Sequence, residues 1–155
     1  MHNKSNIPSG PFIEAFRGRL AGIRQWQELD AFWELLKKST DDKWYIYTIG
    51  EPVPAAPASR EQLVFFVNDI NKRLRQEHEE DYCGIVYVDD KQQPAFIKIY
   101  DPGNLGVVCG FSDSPPLPGW ILSRVQPVEL NEQIVSLFQS PQKKRRWWQR
   151  FLKIS

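Results

Sequence analysis

Two groups of side chains in this sequence have types and spacings that could support catalysis. His78, followed by three carboxylates, comes just before Cys83, and such a set could bind a metal or activate a thiolate. Asp101 and Asp113 flank an apolar segment, and paired carboxylates can act as general acid and base. Both groups also suit ordinary structure, because helix ends and turns favour these residues. We therefore assign no catalytic residue, no metal ligand and no cofactor.

Residues 143–153 form a third group, whose chemistry is that of binding. They contain six basic residues and no acidic one. The rest of the chain has 14 basic and 19 acidic residues, so it carries a net charge of −5, whereas the whole chain carries +1. The segment should therefore attract anionic surfaces that the rest of the protein repels.

The same segment has the periodicity of an amphipathic helix. At 100° per residue its large apolar side chains fall within an arc of about 140°, and every cation except Lys144 lies outside that arc. Tryptophan favours the headgroup region of a bilayer and cations favour anionic lipid, so such a helix can lie in a membrane interface. The predicted membrane- or partner-binding residues are Lys143, Lys144, Arg145, Arg146, Trp147, Trp148, Arg150, Phe151, Leu152 and Lys153.

Other roles are compatible with these residues. The apolar side could pack on the body as a last core helix. The segment could dock on an acidic protein partner. It could also bind single-stranded nucleic acid, with cations on phosphates and Trp147 or Trp148 stacked on bases, although the acidic body disfavours this. We predict docking to a protein partner or an anionic membrane surface ahead of nucleic acid.

The elements that position these groups alternate between helices and strands. Apolar residues at helical spacing predict helices over about 12–20, 24–39 and 60–78, and Asn131 is expected to cap another. Leu35 is expected on the core side of the second helix. Apolar and β-branched runs predict strands over 44–49, 82–88, 95–100, 105–111 and about 120–125.

This order predicts an α+β fold, with an antiparallel or mixed sheet of four to five strands covered by helices. Strands 82–88, 95–100 and 105–111 are expected to form a three-strand meander. The connection through the long helix could also pair strands 44–49 and 82–88 in parallel. The proline-rich segment 50–58 is expected to be a crossover within one domain.

The predicted boundaries are a loose N-terminus over 1–10, a globular domain over 11–140 and a basic, tryptophan-rich tail over 141–155.

The helix over 60–78 has the strongest local signals. Ser59 and Gln62 have the spacing of a capping box. Phe65 lies off the expected core side, whereas Phe66→Ala and Ile70→Ala should each cost roughly 2–5 kcal/mol of stability. The residues expected on the core side are Leu63, Phe66, Val67, Ile70 and Leu74.

Composition limits the class of protein. The 20 aromatic residues supply ample core, so the chain is not disordered as a whole, and no stretch approaches the roughly 20 apolar residues of a membrane span. No apolar segment follows the first residues, so we expect a cytoplasmic protein that can associate peripherally with a membrane. Cys83 and Cys109 are expected to be reduced thiols, since alternate strands lie roughly 10 Å apart and a disulfide needs Cα atoms within about 7 Å.

The sequence alone thus predicts a non-enzymatic accessory or adaptor protein that docks through a basic C-terminal helix. The alternative is a small ligand-binding protein or enzyme with a pocket between the sheet and helix 60–78. A deep cavity that collects His78, Tyr82, Cys83 or Cys109 would favour that alternative. Binding of single-stranded nucleic acid is the second alternative.

Overall fold

The computed structural model describes residues 7–38, 43–77, 84–103 and 117–138. Helices and strands alternate along the described residues, which is the α+β class that the element order predicts. In chain order the elements are α1 (Pro11–Arg17), β1 (Ala21–Ile23), α2 (Trp26–Lys37), β2 (Tyr45–Thr48), α3 (Arg60–Glu77), β3 (Val86–Val88), β4 (Phe96–Ile99), β5 (Trp120–Ser123) and α4 (Glu132–Ser136).

The five strands form one sheet in the order β1-β3-β4-β5-β2, and every neighbouring pair is antiparallel. This confirms the predicted antiparallel sheet of four to five strands. The parallel pairing considered for strands 44–49 and 82–88 is wrong, because β4 and β5 lie between β2 and β3. The chain instead carries β2 to the far edge of the sheet, where it pairs with β5.

A three-strand meander is present, but its third strand is not the predicted one. β3 and β4 pair as expected, with Val86 opposite Ile99. β5 occupies the other side of β4 along the whole strand. The predicted third strand, 105–111, lies outside the described residues. Strand β1 was not predicted from the sequence, because three residues are too few to show the alternation of apolar and polar side chains that marks a strand.

Helices cover both sides of the sheet, because successive side chains of a strand point to opposite sides. On the first side, α2 and α3 pack on the strands through buried residues that include Leu29, Trp33, Leu36, Leu63, Val67, Ile70, Leu74, Val88, Ile97, Ile99 and Leu122. On the second side, α1 and α4 complete a smaller cluster, formed by Phe12, Ile13, Phe16, Tyr47, Phe96, Ile121, Leu130 and Val135.

The local signals around α3 and α4 are confirmed. The Ser59 amide donates to Gln62 Oε1 at 2.8 Å, and the Gln62 amide donates to Ser59 Oγ at 3.1 Å, which completes the capping box. The Ile134 amide donates to Asn131 Oδ1 at 2.8 Å. Both caps join residues three apart, so the sequence contains all the information needed to predict them.

The proline-rich segment 50–58 runs back along β2, as expected of a crossover within one domain. Trp44, just before β2, forms an isolated antiparallel bridge with Ala58. The Ala58 amide donates to the Trp44 carbonyl at 2.8 Å. The segment therefore closes over the start of this edge strand before α3 begins.

Substitutions on α3 should separate its core side from its outer side. Ile70 is 3% exposed, Phe66 is half-buried and Phe65 is 74% exposed. Ile70→Ala should lower the free energy of unfolding by about 2–5 kcal/mol, because the cavity it leaves is enclosed. Phe66→Ala should cost less than Ile70→Ala, in contrast to the equal costs expected from sequence, and Phe65→Ala should change stability by about 0.5 kcal/mol or less. Urea unfolding of the three variants tests this order, and Phe65→Ala as the costliest would show the helix face to be misassigned.

Candidate functional site

The residues predicted to bind a partner or membrane, 143–153, lie outside the described residues together with the rest of the tail. The groups offered for catalysis or for a pocket beside α3 also lie outside them, namely His78, Tyr82, Cys83, Cys109 and Asp113. The docking helix, the alternative pocket and the reduced state of the two cysteines therefore stay predictions.

Asp101 belongs to the second catalytic group and is described by the structure. Its Oδ1 accepts a hydrogen bond from the Gly103 amide at 3.0 Å, and its Oδ2 lies 3.8 Å from Arg73 Nη2 on α3. The Arg73 guanidinium in turn lies 5.1 Å from the ring centroid of Trp120. These contacts fix the turn after β4 against α3, which is the structural role expected of a turn aspartate.

A groove beside α2 is a candidate binding surface that the sequence did not indicate. It consists of two open hollows of about 320 Å³ and 340 Å³, which share Leu35 and Gln92 in their linings. One wall is α2 and the other is the loop 89–95 between β3 and β4. Leu35, expected in the core, is 41% exposed here, because its neighbour Leu36 takes the core position instead.

Carboxylates hold the loop wall of this groove in one conformation. Asp89 Oδ1 accepts hydrogen bonds of 2.9–3.1 Å from the amides of Asp90, Ala95 and Phe96. Asp90 Oδ1 accepts from the amides of Gln93 and Gln92, and these bonds lower the pKa of the Asp90 carboxyl below its usual value. The loop is thus organised by its own backbone donors.

An ion pair ties the loop to α2. Lys91 Nζ lies 3.1 Å from Glu28 Oε2, and the Arg24 amide donates to the other carboxylate oxygen at 3.2 Å. The hydrogen bond from Lys91 is the main cause that lowers the pKa of Glu28. Because both side chains are exposed, the pair positions the loop more than it stabilises the fold.

At the other end of the groove, an indole lies beneath a guanidinium. Arg124 Cζ is 4.6 Å from the ring centroid of Trp44, and Arg124 Nε donates to the Pro94 carbonyl at 3.3 Å. The indole Nε1–H of Trp44 is buried, and it finds no acceptor in the part of the chain that the structure describes. This end of the groove therefore combines an apolar lining with the guanidinium of Arg124.

A row of register partners crosses the second side of the sheet, from β1 to β2. It runs through Gly22, Tyr87, Lys98, Ile121 and Tyr47. A Cβ on Gly22 would lie only 3.0 Å from Cε1 of Tyr87, so the tyrosine ring packs where the glycine leaves room. Lys98 stands at the centre of this row, as its one ionisable amine.

Lys98 is held among apolar and aromatic groups. Its Nζ lies 3.8 Å from the ring centroid of Phe16 on α1, and its side chain is half-buried. No carboxylate of the described residues forms an ion pair with it. Burial lowers the pKa of the amine to about 8, since an ammonium loses hydration there. The cation–π contact with the Phe16 ring offsets part of this loss of hydration.

The lowered pKa of Lys98 predicts a specific dependence of stability on pH. Between pH 8 and about 10.5 the unfolded chain keeps the proton on this lysine and the folded chain does not, so folding is favoured as pH rises. The stability of the protein relative to Lys98→Met should therefore increase through that window and be constant below it. Urea unfolding of both proteins from pH 6 to 10.5 measures the difference. A difference that does not change with pH would contradict the burial of the ammonium.

Neither a metal centre nor a membrane span is found in the described ranges. No group of three or more His, Cys, Asp or Glu side chains is placed there to hold a metal ion. No helix within those ranges has both the length and the apolar character needed to cross a bilayer. No protein-family model, curated protein or solved structure matches this chain.

Proposed function

We propose that the protein is a non-enzymatic adaptor that docks to an anionic membrane surface or to a protein partner through its basic segment, residues 143–153. The observation that carries this proposal is the segregation of charge. Six cations and four large apolar residues are concentrated in this segment, whereas the rest of the chain carries −5. An anionic surface would attract the segment and repel the body, which gives docking a defined orientation.

The forces available to such a segment are sufficient for reversible binding. Each cation near an anionic leaflet contributes on the order of 1 kcal/mol, and the apolar side chains add interfacial burial. Because the cations are screened by salt, the attraction should weaken as ionic strength rises.

The described body has two apolar core clusters. Among the described residues these clusters extend to Val135, with Phe138 packed against the second. The side of α3 that faces the sheet is also filled, by Leu63, Val67, Ile70 and Leu74, each at most 3% exposed. Within the described residues, the packing leaves no cavity between these four α3 side chains and the sheet.

Vesicle co-sedimentation tests the membrane branch of the proposal. Full-length protein should sediment with vesicles that contain anionic lipid and much less with neutral vesicles. Its tryptophan emission should shift to the blue on binding, and salt should weaken the association. Trp147→Ala combined with Trp148→Ala, or a chain that ends at Ser140, should lose most of the binding.

A matched pair of charge variants controls for net charge. Arg145→Gln with Arg146→Gln should weaken vesicle binding, whereas Lys37→Gln with Lys91→Gln removes the same charge from the body and should leave binding nearly unchanged. No vesicle binding at low salt, together with a large loss of stability when 141–155 are deleted, would show the segment to be the last core helix. Oligonucleotide binding with a steep salt dependence, without vesicle binding, would favour nucleic acid.

The protein-partner branch has its own outcome. If the tail can be removed without loss of stability and binds neither vesicles nor oligonucleotides, cross-linking should give tail-dependent protein adducts with the full-length chain. The double tryptophan variant should give none. If the full-length protein and the double tryptophan variant give the same adducts, the proposed docking is wrong.

A further inference from the structure

One side of α2 carries a ridge of side chains that borders the groove. Its members are Glu28, Ala31, Leu35 and Lys38. They follow one another at steps of three and four residues, which places them on the same side of a helix. The helical backbone continues through Lys38, whose amide donates to the Glu34 carbonyl at 3.2 Å. Ala31, Leu35 and Lys38 are exposed, and Glu28 is half-buried, so the described part of the chain leaves the ridge largely uncovered.

The order of side chains along this ridge is complementary to its own reverse. An acidic residue stands at the N-terminal end and a basic residue at the C-terminal end, with a small and a large apolar residue between them. A second α2, laid antiparallel so that Ala31 faces Leu35 of the other copy, brings Glu28 to Lys38 by the same operation. Both pairs fit one two-fold axis, because both are centred on position 33.

The hollow beside Ala31 gives a second copy a place to insert its leucine. It has a volume of about 320 Å³ and lies between Ala31 on α2 and the loop residues Lys91 and Gln92. Ala31 extends only one methyl group from the helix, whereas Leu35, one turn further on, is 41% exposed. A small residue beside a protruding large one is the relief that lets two helices interdigitate.

The loop wall of this hollow is in place before any partner binds. Hydrogen bonds from backbone amides to Asp89 and Asp90 hold the loop, and the ion pair of Lys91 with Glu28 ties it to α2. Docking on a wall that is already ordered loses little conformational freedom.

We propose that the ridge of α2 is the interface of a homodimer, in which two copies pack α2 against α2 antiparallel about a two-fold axis. Leu35 of each copy occupies the hollow beside Ala31 of the other. Lys38 of each copy approaches the Glu28 carboxylate of the other, and that carboxylate can accept a further donor besides Lys91. The antiparallel arrangement also places the positive end of each helix dipole beside the negative end of the other.

Charge complementarity selects a second copy as the partner. The ridge holds one acidic and one basic residue, so it has no net charge that would favour a strongly acidic or basic protein. Its two ends nevertheless match each other once one copy is reversed. The contact involves one helix and the loop beside it, so we expect a dimer that dissociates on dilution and not an obligate one. This inference does not depend on the docking proposed for residues 143–153.

Sedimentation velocity of the full-length protein tests the dimer, over concentrations from about 1 µM to about 1 mM. The sedimentation coefficient should rise from that of a monomer to that of a dimer. Leu35→Glu places a charge in the apolar contact and should raise the dissociation constant at least about tenfold. The matched control is Phe65→Glu, the same kind of change at a residue of α3 that is 74% exposed, and it should dimerise like the unchanged protein.

A mixing experiment tests the two-fold pairing of charges. Glu28→Lys alone and Lys38→Glu alone each bring like charges together in their own homodimer, so each should weaken dimerisation. In an equal mixture, a copy with Glu28→Lys meets a copy with Lys38→Glu through opposite charges at both ends of the ridge, and the dimer should return. Glu28→Lys also removes the ion pair with Lys91, but mixing would not repair a defect of that kind.

Circular dichroism checks that each variant folds, and the mixing experiment remains decisive if Leu35→Glu does not. A full-length protein that stays monomeric throughout the concentration range would overturn the proposal. So would a Leu35→Glu variant that dimerises like the unchanged protein, or charge variants that do not recover on mixing. Self-association that persists in Leu35→Glu but is lost in Trp147→Ala combined with Trp148→Ala would assign the contact to the tail and equally contradict the α2 interface.

Discussion

The burial of β4 on both sides determines where the other elements can lie. Phe96, Ile97 and Ile99 are each at most 1% exposed, although they point alternately to opposite sides of the sheet. β3 and β5 satisfy both backbone edges of this strand. A strand apolar on both sides needs two covers, so α2 and α3 pack on one side. On the other side the short helices α1 and α4, of seven and five residues, cover the apolar side chains of the sheet.

The two sides of the sheet differ in how they are packed. The α2 and α3 side is filled by large apolar residues that run the length of both helices, and its groove lies at the rim, between α2 and the loop 89–95. Among the described residues, the second side is covered by α1 and α4, which have seven and five residues, and Lys98 on this side is half-buried. A lysine can occupy this surface because its stem packs on the sheet and its amine contacts the face of the Phe16 ring.

The sequence predicted correctly those features that depend on residues within a single helix and its caps. The caps at Ser59 and Asn131 and the exposure of Phe65 follow from spacings of a few residues. The pairing of β2 with β5 could not be predicted, because no local signal specifies which strand a distant segment will pair with. The groove and Lys98 were missed for the same reason. In the alternation of β4, Lys98 has the pattern of a solvent-facing residue, and only α1, far away in sequence, brings Phe16 over it.

The bridge between Trp44 and Ala58 also limits where another chain could pair with the β2 edge. β2 is an edge strand, and an uncovered edge offers backbone donors and acceptors to any passing chain. Here the returning segment occupies the start of that edge, and Pro52, Pro54 and Pro57 within it have no N–H to offer. A second molecule cannot simply add a strand at this end of β2. The bridge thereby protects this end of the β2 edge against pairing with another chain.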